Sequence, residues 1–268
     1  MFNTTDFRVH HLRAMQKTLR TAATTMTLLF FLSANFVHAQ TPQVLQQTQQ
    51  LLDWLGVLAL LEQAPTVLDI AMEAEAKARE STPQQREAWR RELEPKLKPA
   101  VLQQALIRYV AERYRPETFR HSEELLQQPL ARRARYFDLA MTQASAAKGL
   151  QDYRALLSAE PQLNRRALIQ ELDAATATSL LAAILQTGIG DRVRQLAGDA
   201  EKPAFSAQEF VERQRFLAPF TEDYLLYAYR YFKDEELTAY RDLLRDAELQ
   251  WLLDVSRQGL IAALQGAP

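Results

Sequence analysis

Beyond residue 39 the sequence holds no cysteine and a single histidine, His121. That scarcity removes thiol nucleophiles, zinc sites of the Cys or multi-His type, and the paired Glu-x-x-His ligation of di-iron bundles. A serine-histidine-acid relay would have to combine His121 with Ser122 and with Glu117 or Glu124 one turn away. Ser122 adjoins His121 on a predicted helix, so its hydroxyl points elsewhere and the pair is badly placed for nucleophilic catalysis. A histidine that faces solvent or bonds locally is the plainer reading.

Carboxylates are the next candidates, because glycoside hydrolysis needs two acids held across a cleft. Glu222-Asp223, Glu235-Glu236, Asp242 and Asp246 are the acids in question. Four of them fall in predicted first helical turns, where the helix dipole already accounts for negative charge. Glu235 and Glu236 point in different directions as neighbours, and Arg245 is a natural surface partner for Glu235 or Asp242. Gly188-Ile189-Gly190 lacks the third glycine and the preceding strand of a dinucleotide fingerprint. The sequence predicts no catalytic residue, no metal site and no cofactor.

Aromatic density is the strongest local anomaly. Of the 19 aromatics beyond residue 39, ten lie between Phe205 and Tyr240. Tyr224, Tyr227 and Tyr231 fall at helical spacing on one predicted face, with Phe220 and Tyr229 off it. Such rings commonly fill a core while their hydroxyls reach polar partners. The functional alternative is a groove in which tyrosines and Arg213, Arg215 or Arg230 contact an elongated apolar ligand or a partner helix. Phe220, Tyr224, Tyr227, Arg230 and Tyr231 are the predicted binding residues for either partner. Arg132-Arg133-Ala134-Arg135 is locally basic, yet Glu123, Glu124 and Asp138 surround it, which reads as a solvated helix face.

The elements that would position these groups are helices throughout. Apolar residues recur at three- and four-residue spacing from Thr41 onward, and strand patterns are absent. Thr41-Pro42 and Thr82-Pro83 each supply a cap and a first-turn proline, and Gln85 completes a capping box with Thr82. Pro99, Pro116 and Pro129 each fit the first turn of a new helix. Ser206 to Glu209 forms a further capping box, Thr221 precedes an acidic first turn, and Asp246 caps a last helix ending near Gly266. Gly188, Gly190 and Gly198 mark a region where helices are expected to break. Two stretches, Leu51 to Leu61 and Ala174 to Ile189, are apolar almost all round and read as central bundle helices. The expected fold is an all-α bundle or array of about nine or ten helices.

Those helices fall into two related sets. Ser122 to Pro129 aligns with Tyr240 to Ala247 at an offset of 118, while Leu97-Lys98-Pro99 aligns with Leu217-Ala218-Pro219, Tyr109 with Tyr229, and Leu52-Asp53 with Leu172-Asp173 at 120. The reading is a duplication into units 42–157 and 162–265, which share one core or form separate domains. Tyr231 to Leu237, followed by Leu243-Leu244 and a terminal amphipathic helix, resembles the C-terminal pattern of a secreted bacterial family called domain of unknown function 2059. Gln128 to Arg133 resembles the turn of that pattern in an earlier copy. Ala131 and Glu248 stand near the places where the family has glycine. The resemblance implies an exported helical fold and carries over no catalytic residue.

Export is also readable at the N-terminus. Arg13, Lys17 and Arg20 precede the uncharged run Thr21 to Leu32, and Val37-His38-Ala39 offers the small side chains of a cleavage site. Residues 1–39 are thus predicted to be a signal peptide cleaved after Ala39, with Met1 or Met15 as the start. Removing them leaves a formal charge of about -4, from -1 for the whole chain, which gives no attraction to nucleic acid. Export without disulfides requires the core alone to hold the fold. The sequence therefore points to a periplasmic or secreted, non-spanning binding or accessory module of the bacterial cell envelope. A carboxylate-dependent envelope hydrolase and a carrier or chaperone for apolar ligands are the alternatives.

Overall fold

The computed structural model describes residues 41–140, 144–159, 163–198 and 207–266. The predicted signal peptide and the Ser206 cap lie outside them. Among the described residues every regular element is a helix: α1 (Pro42–Trp54), α2 (Val57–Leu61), α3 (Ala64–Ala78), α4 (Pro83–Leu93), α5 (Pro99–Ala111), α6 (Pro116–Leu126), α7 (Pro129–Ala140), α8 (Ala144–Ala159), α9 (Leu163–Thr176), α10 (Thr178–Leu196), α11 (Ala207–Ala228), α12 (Asp234–Leu244) and α13 (Ala247–Gln265). The all-α class is as expected, whereas the described segments number thirteen rather than nine or ten. Breaks at Leu55-Gly56, Glu62-Gln63 and Ala177 divide runs that hydrophobic periodicity alone would join.

Local chemistry explains most of the boundaries. The Thr41 hydroxyl accepts from the Val44 amide, Thr82 and Gln85 bond reciprocally, and Asp246 accepts from the Glu248 and Leu249 amides. Each satisfies donors that the first turn leaves unpaired. Pro42, Pro83, Pro99, Pro116 and Pro129 open their helices. α13 stops at Gly266, whose φ of 72° suits glycine. At Gly56 and Ala177 the backbone enters the left-handed region, with φ of 74° and 55°, and the chain turns by 79° and 58°. No single described helix is long and apolar enough to cross a membrane.

Two boundary expectations are corrected. Gly188 and Gly190 do not interrupt a helix but sit inside α10, where Gly188 is buried. The penalty of about 0.5–1 kcal/mol for glycine in a helix is offset by the packing of α10 against α3, α11 and α13. Thr221 caps nothing, because α11 runs through Pro219 without ending. Proline there removes a backbone hydrogen bond, at about 3 kcal/mol. Buried Leu217, Leu225 and Leu226 on either side hold the helix to the core.

One apolar core joins both halves of the chain, from Leu51 and Leu52 to Leu260 and Leu264. α10 is its centre, with Leu181, Ile184, Leu185, Ile189 and Val193 all buried. Leu102, Leu106 and Val110 of α5 are buried, and α5 packs against α13 from the other end of the sequence. Gly259 permits that approach: a Cβ there would stand 2.8 Å from both Leu106 Cδ1 and Tyr109 Cδ1.

Candidate functional site

α11 and the turn after it carry the aromatic concentration, and packing sorts the rings into three layers. α11 ends at Ala228, so Tyr231 belongs to the following turn and does not continue the Tyr224–Tyr227 face. Tyr224 and Tyr227 are half-buried. The Tyr227 ring lies 5.5 Å from that of Tyr153 on α8. Gly149 leaves room for it, since a Cβ there would fall 1.9 Å from the Tyr227 hydroxyl oxygen.

Beneath this layer, Tyr229 and Tyr240 are buried with their rings 6.0 Å apart. The Tyr229 hydroxyl donates to the Asp138 carboxylate, at 2.8 and 2.9 Å from its two oxygens. Burial pushes Asp138 up to about 7, against the opposing pull of the Tyr229 hydrogen bond. Burial, followed by the nearby Asp138 charge, raises Tyr224, Tyr229 and Tyr240 as well.

The outer layer is exposed. Phe216 and Phe220 are 59% and 50% accessible, with ring centroids 5.4 Å apart, and the Arg154 guanidinium lies 5.8 Å from the Phe220 ring. Tyr231 is 62% accessible. Arg230 stacks at 3.9 Å on Tyr227 and 4.4 Å on Tyr231, and donates at 2.6 Å to the Tyr227 carbonyl. Two further arginines staple the turn. Arg165 donates to the carbonyls of Tyr229 and Phe232, and Arg133 to that of Tyr231. The ring of Phe137 on α7 lies 6.0 Å from Tyr231 and 5.6 Å from the exposed Tyr136. Of the five predicted binding residues, Phe220, Arg230 and Tyr231 reach the surface, and Tyr224 and Tyr227 support them from below.

Four of the six candidate acids, Glu222, Asp223, Glu236 and Asp242, are paired with arginines. Arg166 pairs with Glu222 and lies 3.8 Å from Asp223, which also pairs with Arg154 at 3.0 Å. Arg241 pairs with Asp242 at 2.6 Å. Arg245 binds neither Glu235 nor Asp242; its partner is Glu171 on α9, at 3.2 Å. Glu236 is held below the usual carboxylate range, first by the Lys233 amide and then by Arg133. Cations and amides that stabilise the anion are the opposite of what a general acid requires. Arg132 and Arg133 are exposed, as a solvated face requires, and Arg133 and Arg135 also reach across to Glu236 and Asp53 as inter-helix ties.

Three groupings have no local signature in sequence. Asp138 is one. The second is a cleft of about 530 Å³, whose lining includes Ile169, Asp173, Ser179, Val211, Arg215 and Glu222. Within it the Ser179 hydroxyl donates to Asp173 at 2.6 Å. The third joins His121 to Asp246, with Nε2 and Oδ2 3.1 Å apart. That hydrogen bond is the main influence raising the imidazole's pKa, and it connects helices far apart in sequence rather than a local pair. Ser122 has no part in it, because its hydroxyl is buried without a partner. No known protein family, curated protein or solved structure matches this chain.

Proposed function

We propose that this chain is an exported helical binding module of the bacterial cell envelope that engages a partner through the aromatic and arginine face of α11 and the turn after it. The observation that carries the reading is the exposure of Phe216, Phe220 and Tyr231 beside the guanidinium groups of Arg154 and Arg230. Large rings left in water gain contact area at low entropic cost when a partner covers them, and a stacked guanidinium adds direction. The fully or partly buried layer of Tyr224, Tyr227 and Tyr229 holds that surface still. The signal-like residues 1–39 and the resemblance to domain of unknown function 2059 support export to the periplasm or beyond.

The same proposal treats the chain as two related units, 42–157 and 162–265. Helix order supports this: α1 corresponds to α9, α2 with α3 to α10, α5 to the second half of α11, α6 to α12, and α7 to α13. Gly56 and Ala177 occupy equivalent breaks, both with positive φ. Packing partners correspond too. α1 packs on α5 and α6, as α9 packs on α11 and α12. α13 packs on α5 and α6 of the first unit, while α7 packs on α11 and α12 of the second. The last matched helix of each unit, α7 or α13, is thereby exchanged, giving one shared core.

A photo-crosslinking residue at position 220, introduced in the producing cell, tests the binding reading. A discrete adduct at 220, absent when the same residue stands at exposed Glu87, is expected. Equal or no labelling at the two positions would sink it. A second reading, a carrier for a small amphipathic ligand, draws on the cleft, where Ile169 and Val211 offer apolar walls beside the exposed Arg215.

A further inference from the structure

His121, near the middle of α6, meets the start of α13, where Asp246 is the N-cap and Glu248 lies in the first turn. One ligand atom from each of the three lies within 4.8 Å of the other two, and all three residues are half-buried. We propose that this trio binds a divalent first-row transition ion of the zinc type, with one imidazole nitrogen and two carboxylate oxygens as protein ligands.

Ligand chemistry favours that class. Imidazole suits zinc and its neighbours, while magnesium and calcium prefer all-oxygen shells. Bond lengths of roughly 2.0–2.2 Å place adjacent ligands roughly 3–3.5 Å apart, and His121 Nε2 and Asp246 Oδ2 already stand 3.1 Å apart. Asp246 divides its work: Oδ1 accepts from the Glu248 and Leu249 amides, leaving Oδ2 for the ion. That arrangement fixes the carboxylate as outer-shell hydrogen bonds fix ligands in metal sites.

Charge balance gives an independent reason. Among the described residues the Glu248 carboxylate makes no hydrogen bond or ion pair, and no lysine or arginine pairs with Asp246. Arg120 is occupied by Glu117 and Glu124, and Arg245 by Glu171. Two carboxylates therefore share one imidazole, so an ion of charge +2 would neutralise a cluster that the protein leaves negative. Three ligands also leave positions for water, and His121 is 40% accessible, so an ion can enter from solvent. A single-histidine site with two carboxylates escapes the exclusion of Cys and multi-His sites because it needs only one imidazole, and packing of α6 on α13 brings that imidazole to the carboxylates.

Binding would tie α6 to α13. The test is calorimetric titration of the full chain with zinc chloride, in a background where His10, His11 and His38 are changed to alanine so that His121 is the only imidazole. One ion per chain is expected, together with a zinc-dependent rise in Tm. His121→Ala and Glu248→Gln should each weaken binding by about tenfold or more; Glu248→Gln should leave the metal-free Tm nearly unchanged, whereas His121→Ala lowers it modestly by losing the bond to Asp246. Cobalt should give visible absorption that His121→Ala abolishes. Absence of one-to-one binding at roughly 100 µM zinc, or binding undiminished in both variants, would overturn the site.

Discussion

Replacing Asp138 by asparagine should stabilise this protein at alkaline pH and do little in acid. The carboxylate faces the phenols of Tyr224, Tyr229 and Tyr240, and among the described residues no lysine or arginine pairs with it. Its ordinary value of 3.8 rises to about 7 in the fold. The folded state therefore holds the proton more tightly than the unfolded chain. Stability from this group is fully present below about pH 4, falls as pH climbs towards 7, and levels off above it. A shift of that size corresponds to about 4 kcal/mol at most, and partial solvent contact brings the working figure nearer about 2 kcal/mol. Asparagine keeps an oxygen to accept from the Tyr229 hydroxyl and never ionises. Urea unfolding of both proteins at pH 4.5 and pH 8 isolates the term, because other titrations cancel in the difference. The asparagine variant should gain about 2 kcal/mol relative to wild type between those conditions. Tyr229→Phe should act oppositely, destabilising by about 1–3 kcal/mol at pH 8, where it strips the anion of its donor. A difference between Asp138→Asn and wild type that stays flat across pH would refute the reasoning.

Three other outcomes follow from packing. Tyr227→Ala should cost about 2 kcal/mol, below the 3–5 kcal/mol of a fully buried aromatic, because the ring is half-buried against Tyr153; a loss under about 0.5 kcal/mol in thermal unfolding would mean that it does not pack. Ala177→Gly should leave stability unchanged or raise it by up to about 1 kcal/mol by relieving positive φ, while Gly56→Ala should lower it by about 1 kcal/mol; the reverse order in denaturant midpoints would contradict the shared left-handed break. Residues 42–157 expressed alone should lack a cooperative unfolding transition, because Leu102, Leu106 and Val110 lose α13; a sharp two-state transition would show that the exchange is dispensable.

Legibility in the sequence followed the range of the interactions. Helix starts were readable because their causes are local: Thr41, Thr82 and Asp246 bond to amides two or three residues on, and a first-turn proline announces itself. Breaks were legible only where the residue itself favours them. Gly266 signalled its left-handed cap, but Ala177 adopts the same region with no propensity for it, held by what packs around it. Gly188 and Thr221 mislead for the converse reason, since buried neighbours carry α10 through its glycines and α11 through Pro219 despite their local penalties.

At the candidate site the aromatic density was plain, yet its division into layers was not. Helical spacing places Tyr231 on the face of Tyr224 and Tyr227 only if the helix continues, and it stops at Ala228. Arg165 and Arg133 then bond the freed carbonyls of Tyr229, Phe232 and Tyr231, so residues far from 231 decide where that ring points. His121 makes the same case more sharply. Its sequence neighbours offered Ser122, Glu117 and Glu124, whereas its actual partner, Asp246, comes from the N-cap of α13, a contact that exists only because α13 packs against α6. Chemistry assembled by such long-range packing leaves no local spacing to read, which is why a chain with one histidine beyond residue 39 can still bring an imidazole and two carboxylates together.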